Sequence, residues 1–150
     1  MEFQLGSKVR GIKMENIILD DHIELTEEEA REFFSKFDSE ELEQFDFIFY
    51  FAMSHNLAKP KKILEEVKKE KNNCNSDSNS DITSKTSLLS LKELNYLYNL
   101  TDDGWMCTIN TREYFDYSDE GEELNRIKQS IYKEIQQRLK INKNILNLQP

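Results

Sequence analysis

The side chains that most readily do chemistry are few in this sequence. Two histidines, His22 and His55, and two cysteines, Cys74 and Cys107, stand far apart along the chain. A zinc site draws Cys and His ligands in closely spaced pairs, and no such pair is present. Asp20-Asp21-His22 offers carboxylate and imidazole donors, but nothing nearby completes a ligand set, so His22 reads as an exposed polar residue. His55 follows the apolar run Phe47–Met53, and an imidazole there would sit favourably at a helix C-terminus. The cysteines read as free thiols of a reducing compartment. Asp116-Tyr117-Ser118-Asp119-Glu120-Gly121 has the outline of a calcium loop. The twelfth position, which must supply a bidentate Glu, is Ile127. No phosphate-binding glycine loop, nucleophile elbow or HExxH pair is present. The expectation is a non-enzymatic protein with no cofactor and no metal.

What the chain has in abundance is carboxylate. General acid–base work needs a carboxylate in a perturbing environment, whereas these acids cluster in stretches that read as solvated. The formal net charge is −9, and its layout matters more than its sum. Residues 20–58 carry twelve acidic and two basic residues, and 101–125 carry eight and one. The segments that follow each, 59–71 and 126–150, are net basic, at +3 and +5. Phosphate affinity comes from clustered Lys and Arg, so direct nucleic-acid binding is disfavoured. A partner with a basic surface would be attracted and steered. The acids expected to face such a partner are Glu27, Glu28, Glu32, Glu40, Asp102, Asp103, Asp119 and Glu120.

Helices must position these residues, because Gly and Pro are scarce, at 4 and 2 copies, too few for the turns of an all-β fold. The hydrophobic content of 37% is enough for a core in a chain of 150 residues. Residues 1–19 read as an arm or edge strand, with Phe3 and Leu5 alternating. Residues 20–71 read as a helical half. Thr26-Glu27-Glu28-Glu29 is a capping box, in which hydroxyl and carboxylate each satisfy an orphan backbone N–H. Asp38-Ser39-Glu40-Glu41 repeats the signature. Leu42, Phe45, Phe49, Ala52 and Met53 follow at helical spacing, with a buried strand over 45–53 as the alternative. Lys59-Pro60 opens a third helix. Residues 72–87, rich in Asn, Ser, Asp and Thr, read as a flexible linker or a long exposed loop between two halves. Residues 88–150 read as helix, hairpin and helix. Ser90-Leu91-Lys92-Glu93 caps the first helix, with Leu89 and Leu94 placed as a hydrophobic staple. Asp103-Gly104 reads as a turn, and Trp105–Ile109 and Glu113–Tyr117 as the strands of a short hairpin. Leu124, Ile127, Ile131, Ile135 and Leu139 stripe the last helix, a surface on which a homodimer could form. The expected fold is thus mainly α with a small β-hairpin, an α+β arrangement.

Residues 90–138, about a third of the chain, resemble a winged-helix unit. Tyr117-Ser118-Asp119-Glu120-Gly121-Glu122-Glu123-Leu124 is similar to the Y-x-L-T-x-x-G-x-x-L wing end of many bacterial regulators, though it lacks the apolar residue before Ser118. The resemblance implies a DNA-binding transcription regulator, with Lys128, Lys133, Arg138, Lys140 and Arg112 as its basic face. The charge argues otherwise: residues 101–108, where the recognition element would lie, hold two acids and no base, whereas base and phosphate contacts draw on Arg, Lys, Asn and Gln.

The leading expectation is therefore an acidic protein-binding module, an inhibitor of a nucleic-acid-acting enzyme. Immunity proteins, antitoxins and phage or mobile-element anti-defence proteins share such a composition. The winged-helix regulator is the alternative. Met1–Leu19 has no continuous apolar core for secretion, and Phe47–Met53 is too short to span a bilayer, so a cytoplasmic location is expected.

Overall fold

A computed structural model describes residues 23–52, 56–71 and 81–147, with side chains to residue 140. Every regular element among them is helical: α1 (Glu27–Ser35), α2 (Ser39–Phe51), α3 (Ala58–Lys71), a 3-10 segment (Ile82–Leu88), α4 (Leu91–Asn110) and α5 (Ser118–Asn147). The arm expected over residues 1–19 lies outside the described residues.

Three helices start where local chemistry places them. Thr26, Asp38 and Ser90 each accept a hydrogen bond from the third helical N–H, while Glu29, Glu41 and Glu93 reach back to the cap backbone. In α3 Pro60 sits within the first turn, where its missing N–H has no intrahelical acceptor to lose. Phe45, Ile48, Phe49 and Phe51 bury one broad face of α2, so this run is helix and not strand.

The expected β-hairpin does not form. Residues 105–110 continue α4, and the hydrogen-bonded turns of 111–114 with the irregular residues 115–117 separate it from α5. The reason lies in spacing. Leu97, Leu100, Thr101, Gly104 and Thr108 are buried at intervals of three and four, a helical face. The alternation of Trp105, Cys107 and Ile109 reads as a strand only while that face is unseen. Gly104 is accordingly no turn: a Cβ there would lie 3.2 Å from Phe51 Cβ and 3.3 Å from Leu124 Cδ1. Gly121 plays the same role on α5, where a Cβ would come within 2.7 Å of Thr108 Oγ1.

These contacts set an antiparallel α4–α5 pair. Thr108 meets Gly121, Gly104 meets Leu124, Asp102 meets Lys128 and Tyr98 meets Tyr132, descending one helix as the other ascends. Helix α2 packs on α4, α1 on α3, and the 3-10 segment bridges α2 and α5. That segment falls within the polar run expected to be a linker, yet Ile82 is fully buried and Asp81 caps it. The two expected halves share one core. Phe33, Phe34, Phe37 and Phe45 pack edge-on or tilted, 5.0–5.5 Å between centroids, and Phe33 meets Tyr96 of α4 at 5.8 Å.

Candidate partner-binding surface

Much of the acidity is answered inside the molecule. Each capping-box glutamate also takes a lysine from another element: Glu29 pairs with Lys92 at 2.8 Å, Glu93 with Lys36 at 2.5 Å, and Glu41 with Lys85 at 2.5 Å. Glu41 is fully buried and also accepts from Ser84 Oγ. Lys68 of the basic helix α3 draws in Asp46, Glu43 and Glu65, and Arg31 holds Glu66 at 2.6 Å. Lys71 donates to the carbonyls of Ser35 and Phe37 beyond the end of α1, where a cation offsets the helix dipole. Arg126 joins Asp81 to Glu123.

These pairings shift the groups involved. The Lys92 ammonium, with the Thr26 backbone, lowers the Glu29 carboxyl below its usual range. Arg31 does the same for Glu66. Partial burial works against ionisation of Asp81, but hydrogen bonds from Thr83 and Arg126 outweigh it and lower the carboxyl. Asp116 is lowered by the Ser118 hydroxyl and N–H. That contact shows what the calcium-like outline does: Asp116 caps the start of α5.

The eight acids proposed from sequence separate into different settings. Glu27, Glu28 and Glu32 are exposed on α1, and Glu40 is exposed on the first turn of α2. None of these four pairs with a Lys or Arg at salt-bridge distance among the described residues. Asp102 does: it binds Lys128 at 3.1 Å, and that nearly buried ammonium lies 3.9 Å above the Trp105 ring. Asp102, Asp103 and Glu27 converge on a groove of about 710 Å³ between α1, α3 and α4, floored by Tyr96 and Ile63. Burial pushes the Tyr96 phenol well above its usual range. Asp119 and Glu120 lie on the first turn of α5, Asp119 exposed and Glu120 half-buried.

Beside them stands a feature the sequence reading missed. Tyr50, Tyr114 and Phe115 are 63%, 78% and 56% exposed. Phe115 stacks on Tyr117 at 5.5 Å, Tyr117 meets Phe51 edge-on at 5.0 Å, and Phe51 meets Tyr50 at 4.9 Å. The neighbouring Tyr50 hydroxyl, with partial desolvation, holds the Tyr117 phenol above its ordinary range. The signal was present as Tyr114-Phe115-Asp116-Tyr117, but it was assigned to a strand, whose partner face would have hidden it.

The remaining candidates are quickly placed. His22, His55 and Cys74 lie outside the described residues, and Cys107 is half-buried on α4. No group of three His, Cys, Asp or Glu side chains among the described residues could hold a metal ion. No described helix is long and apolar enough to cross a membrane. Of the five cations that the winged-helix resemblance implies as a basic face, Arg112, Lys133 and Lys140 are exposed and two are engaged within the fold. Lys128 is engaged by Asp102, Arg138 binds Glu134 and the carbonyls of Thr86 and Ser87, and the wing has become helix and turn. The stripe offered for a homodimer is internal, since Leu124, Ile127, Ile131 and Ile135 are buried in the monomer. No protein-family model, no curated protein and no solved structure matches the chain.

Proposed function

We propose that the protein is a non-enzymatic, acidic protein-binding module that occupies the basic surface of a nucleic-acid-acting enzyme and inhibits it. The observation that carries this reading is the set of acids left exposed on α1 and α5 while others are engaged within the fold. Lys36, Lys68, Lys85, Lys92, Arg126 and Lys128 are engaged by acids of their own chain. Glu27, Glu28 and Glu32 on α1, and Asp119 at the start of α5, are exposed and form no salt bridge among the described residues. Carboxylates displayed on rigid helices compete with phosphates for a Lys- and Arg-lined groove, and their field speeds the encounter. The partner is thus a basic protein, and the direct ligand is not nucleic acid.

Affinity capture on the immobilised protein, washed at graded salt, tests this. The expected catch is a basic nucleic-acid-acting protein that elutes as salt rises and loses activity when the chain is added back. Glu27→Gln/Glu28→Gln/Glu32→Gln should weaken that inhibition. A mobility-shift assay with duplex DNA at low salt should show no complex. Tight duplex binding with a steep salt slope, or a catch without any basic partner, would sink the proposal.

A further inference from the structure

We infer that the exposed aromatic ridge of Tyr50, Tyr114 and Phe115 is the anchor of the interface and that it receives an arginine-bearing protein surface. The inference rests on the protein-binding reading and names the site and the chemistry of its partner. Tyr50 and Phe115, joined through Phe51 and Tyr117, and Tyr114 beside Phe115 in the turn are each more than half exposed, which is costly in water unless they are covered in the working state. Here they stand on a rigid base. Phe115 stacks on Tyr117, which rests on the core ring Phe51, and Phe51 in turn meets Tyr50. The turn itself is fixed by Tyr114 and Phe115 N–H groups donating to Thr111 O at 2.9 Å, and by the Asp116 cap on Ser118. A preorganised aromatic surface loses little entropy on binding, which is the character of an interface hot spot.

Charge selects the occupant. Along the chain, Glu113, Asp116, Asp119 and Glu120 flank Tyr114, Phe115 and Tyr117, outnumbering Arg112 there, and Glu120 acts electrostatically on Tyr117. A second copy of this chain would bring the same negative corner against itself. An anionic lipid surface and a phosphate backbone would be repelled in the same way. A guanidinium satisfies both features together, because it stacks flat on an aromatic face and forks to carboxylates. An ammonium, a strongly hydrated point charge, uses the carboxylates more than the rings.

The test titrates isotope-labelled protein with an arginine homopeptide and a lysine homopeptide of equal length at low salt, followed by NMR. The arginine peptide is expected to shift the resonances of Tyr50, Tyr114 and Phe115 and to bind roughly fivefold tighter than the lysine peptide. Tyr114→Ala/Phe115→Ala should remove that preference while keeping the helical circular-dichroism spectrum and a cooperative melt, lowered slightly by loss of the Phe115–Tyr117 stack. Equal affinities that survive the double variant, with shifts confined to α1, would overturn the aromatic anchor and leave the acidic-module reading standing. Binding of neither peptide would overturn both. A single-stranded oligonucleotide shifting the same resonances more strongly than the arginine peptide would also overturn the inference.

Discussion

Two residues show how sharply packing limits this sequence. Gly121 lies in the first turn of α5, where alanine ordinarily stabilises a helix by about 1 kcal/mol. A Cβ there would meet Thr108 Oγ1 at 2.7 Å, and that hydroxyl already donates to Trp105 O at 2.6 Å. Gly121→Ala should therefore destabilise by about 1–3 kcal/mol in chemical denaturation. Adding Thr108→Ala should recover most of the loss, and additive effects of the two changes would refute the contact. Glu41 is the second case. It is fully buried, caps α2 and holds Lys85. Glu41→Gln keeps the capping hydrogen bond and should cost about 1–2 kcal/mol. Glu41→Ala also removes the cap and leaves Lys85 with the more distant Asp38 at 4.0 Å, and should cost about 2–4 kcal/mol. Equal losses for the two variants would mean that the capping hydrogen bond, which glutamine keeps, contributes nothing beyond the ion pair.

Helix starts were legible because capping is local chemistry. Thr26, Asp38 and Ser90, each with a glutamate three residues on, act within one turn, and nothing distant can mask the pattern. The interior of α4 was not legible. Its residues 104–110 combine a glycine, alternating apolar side chains and few strong helix formers, so local preference favours a turn and a strand. Helix wins because Gly104 lets α4 approach Phe51 and Leu124, and because Lys128 reaches across to Trp105 and Asp102. NMR secondary shifts should therefore stay helical through Asn110, with the amides of 105–110 slow to exchange. A break at Asp103-Gly104 would contradict the α4 described here. Trp105→Ala should loosen this end of α4 by about 1–2 kcal/mol, because it removes the ring beneath a nearly buried ammonium.

Over the whole molecule, the shifted carboxylates set the acid limit of stability. Glu29, Glu66, Asp81 and Asp116 all have folded pKa values below their usual ones. Their contribution is therefore present above the unfolded value, about pH 4, and disappears as pH falls through the lower folded value. Most of these groups are solvent-facing, so each contribution is small after screening, and the loss should be gradual. Denaturant midpoints should hold between about pH 5 and 7 and decline below about pH 4; a rise on acidification past that point would mean these pairs do not favour the fold. Composition and pattern were enough to reveal an acidic, predominantly helical chain, its capping boxes and its alternating charge blocks, because these depend on residue type and short spacing. They could not reveal which acids are engaged. Glu29 and Glu28 are neighbours of one kind, yet Glu29 is held by Lys92, sixty-three positions away, while Glu28 stays in solvent. Nor could they show that Tyr50 and Phe115, distant in the chain, meet through Tyr117 at one exposed corner. Charge balance and surface composition are made by long-range packing, and only the folded arrangement of α1 to α5 brings those partners together.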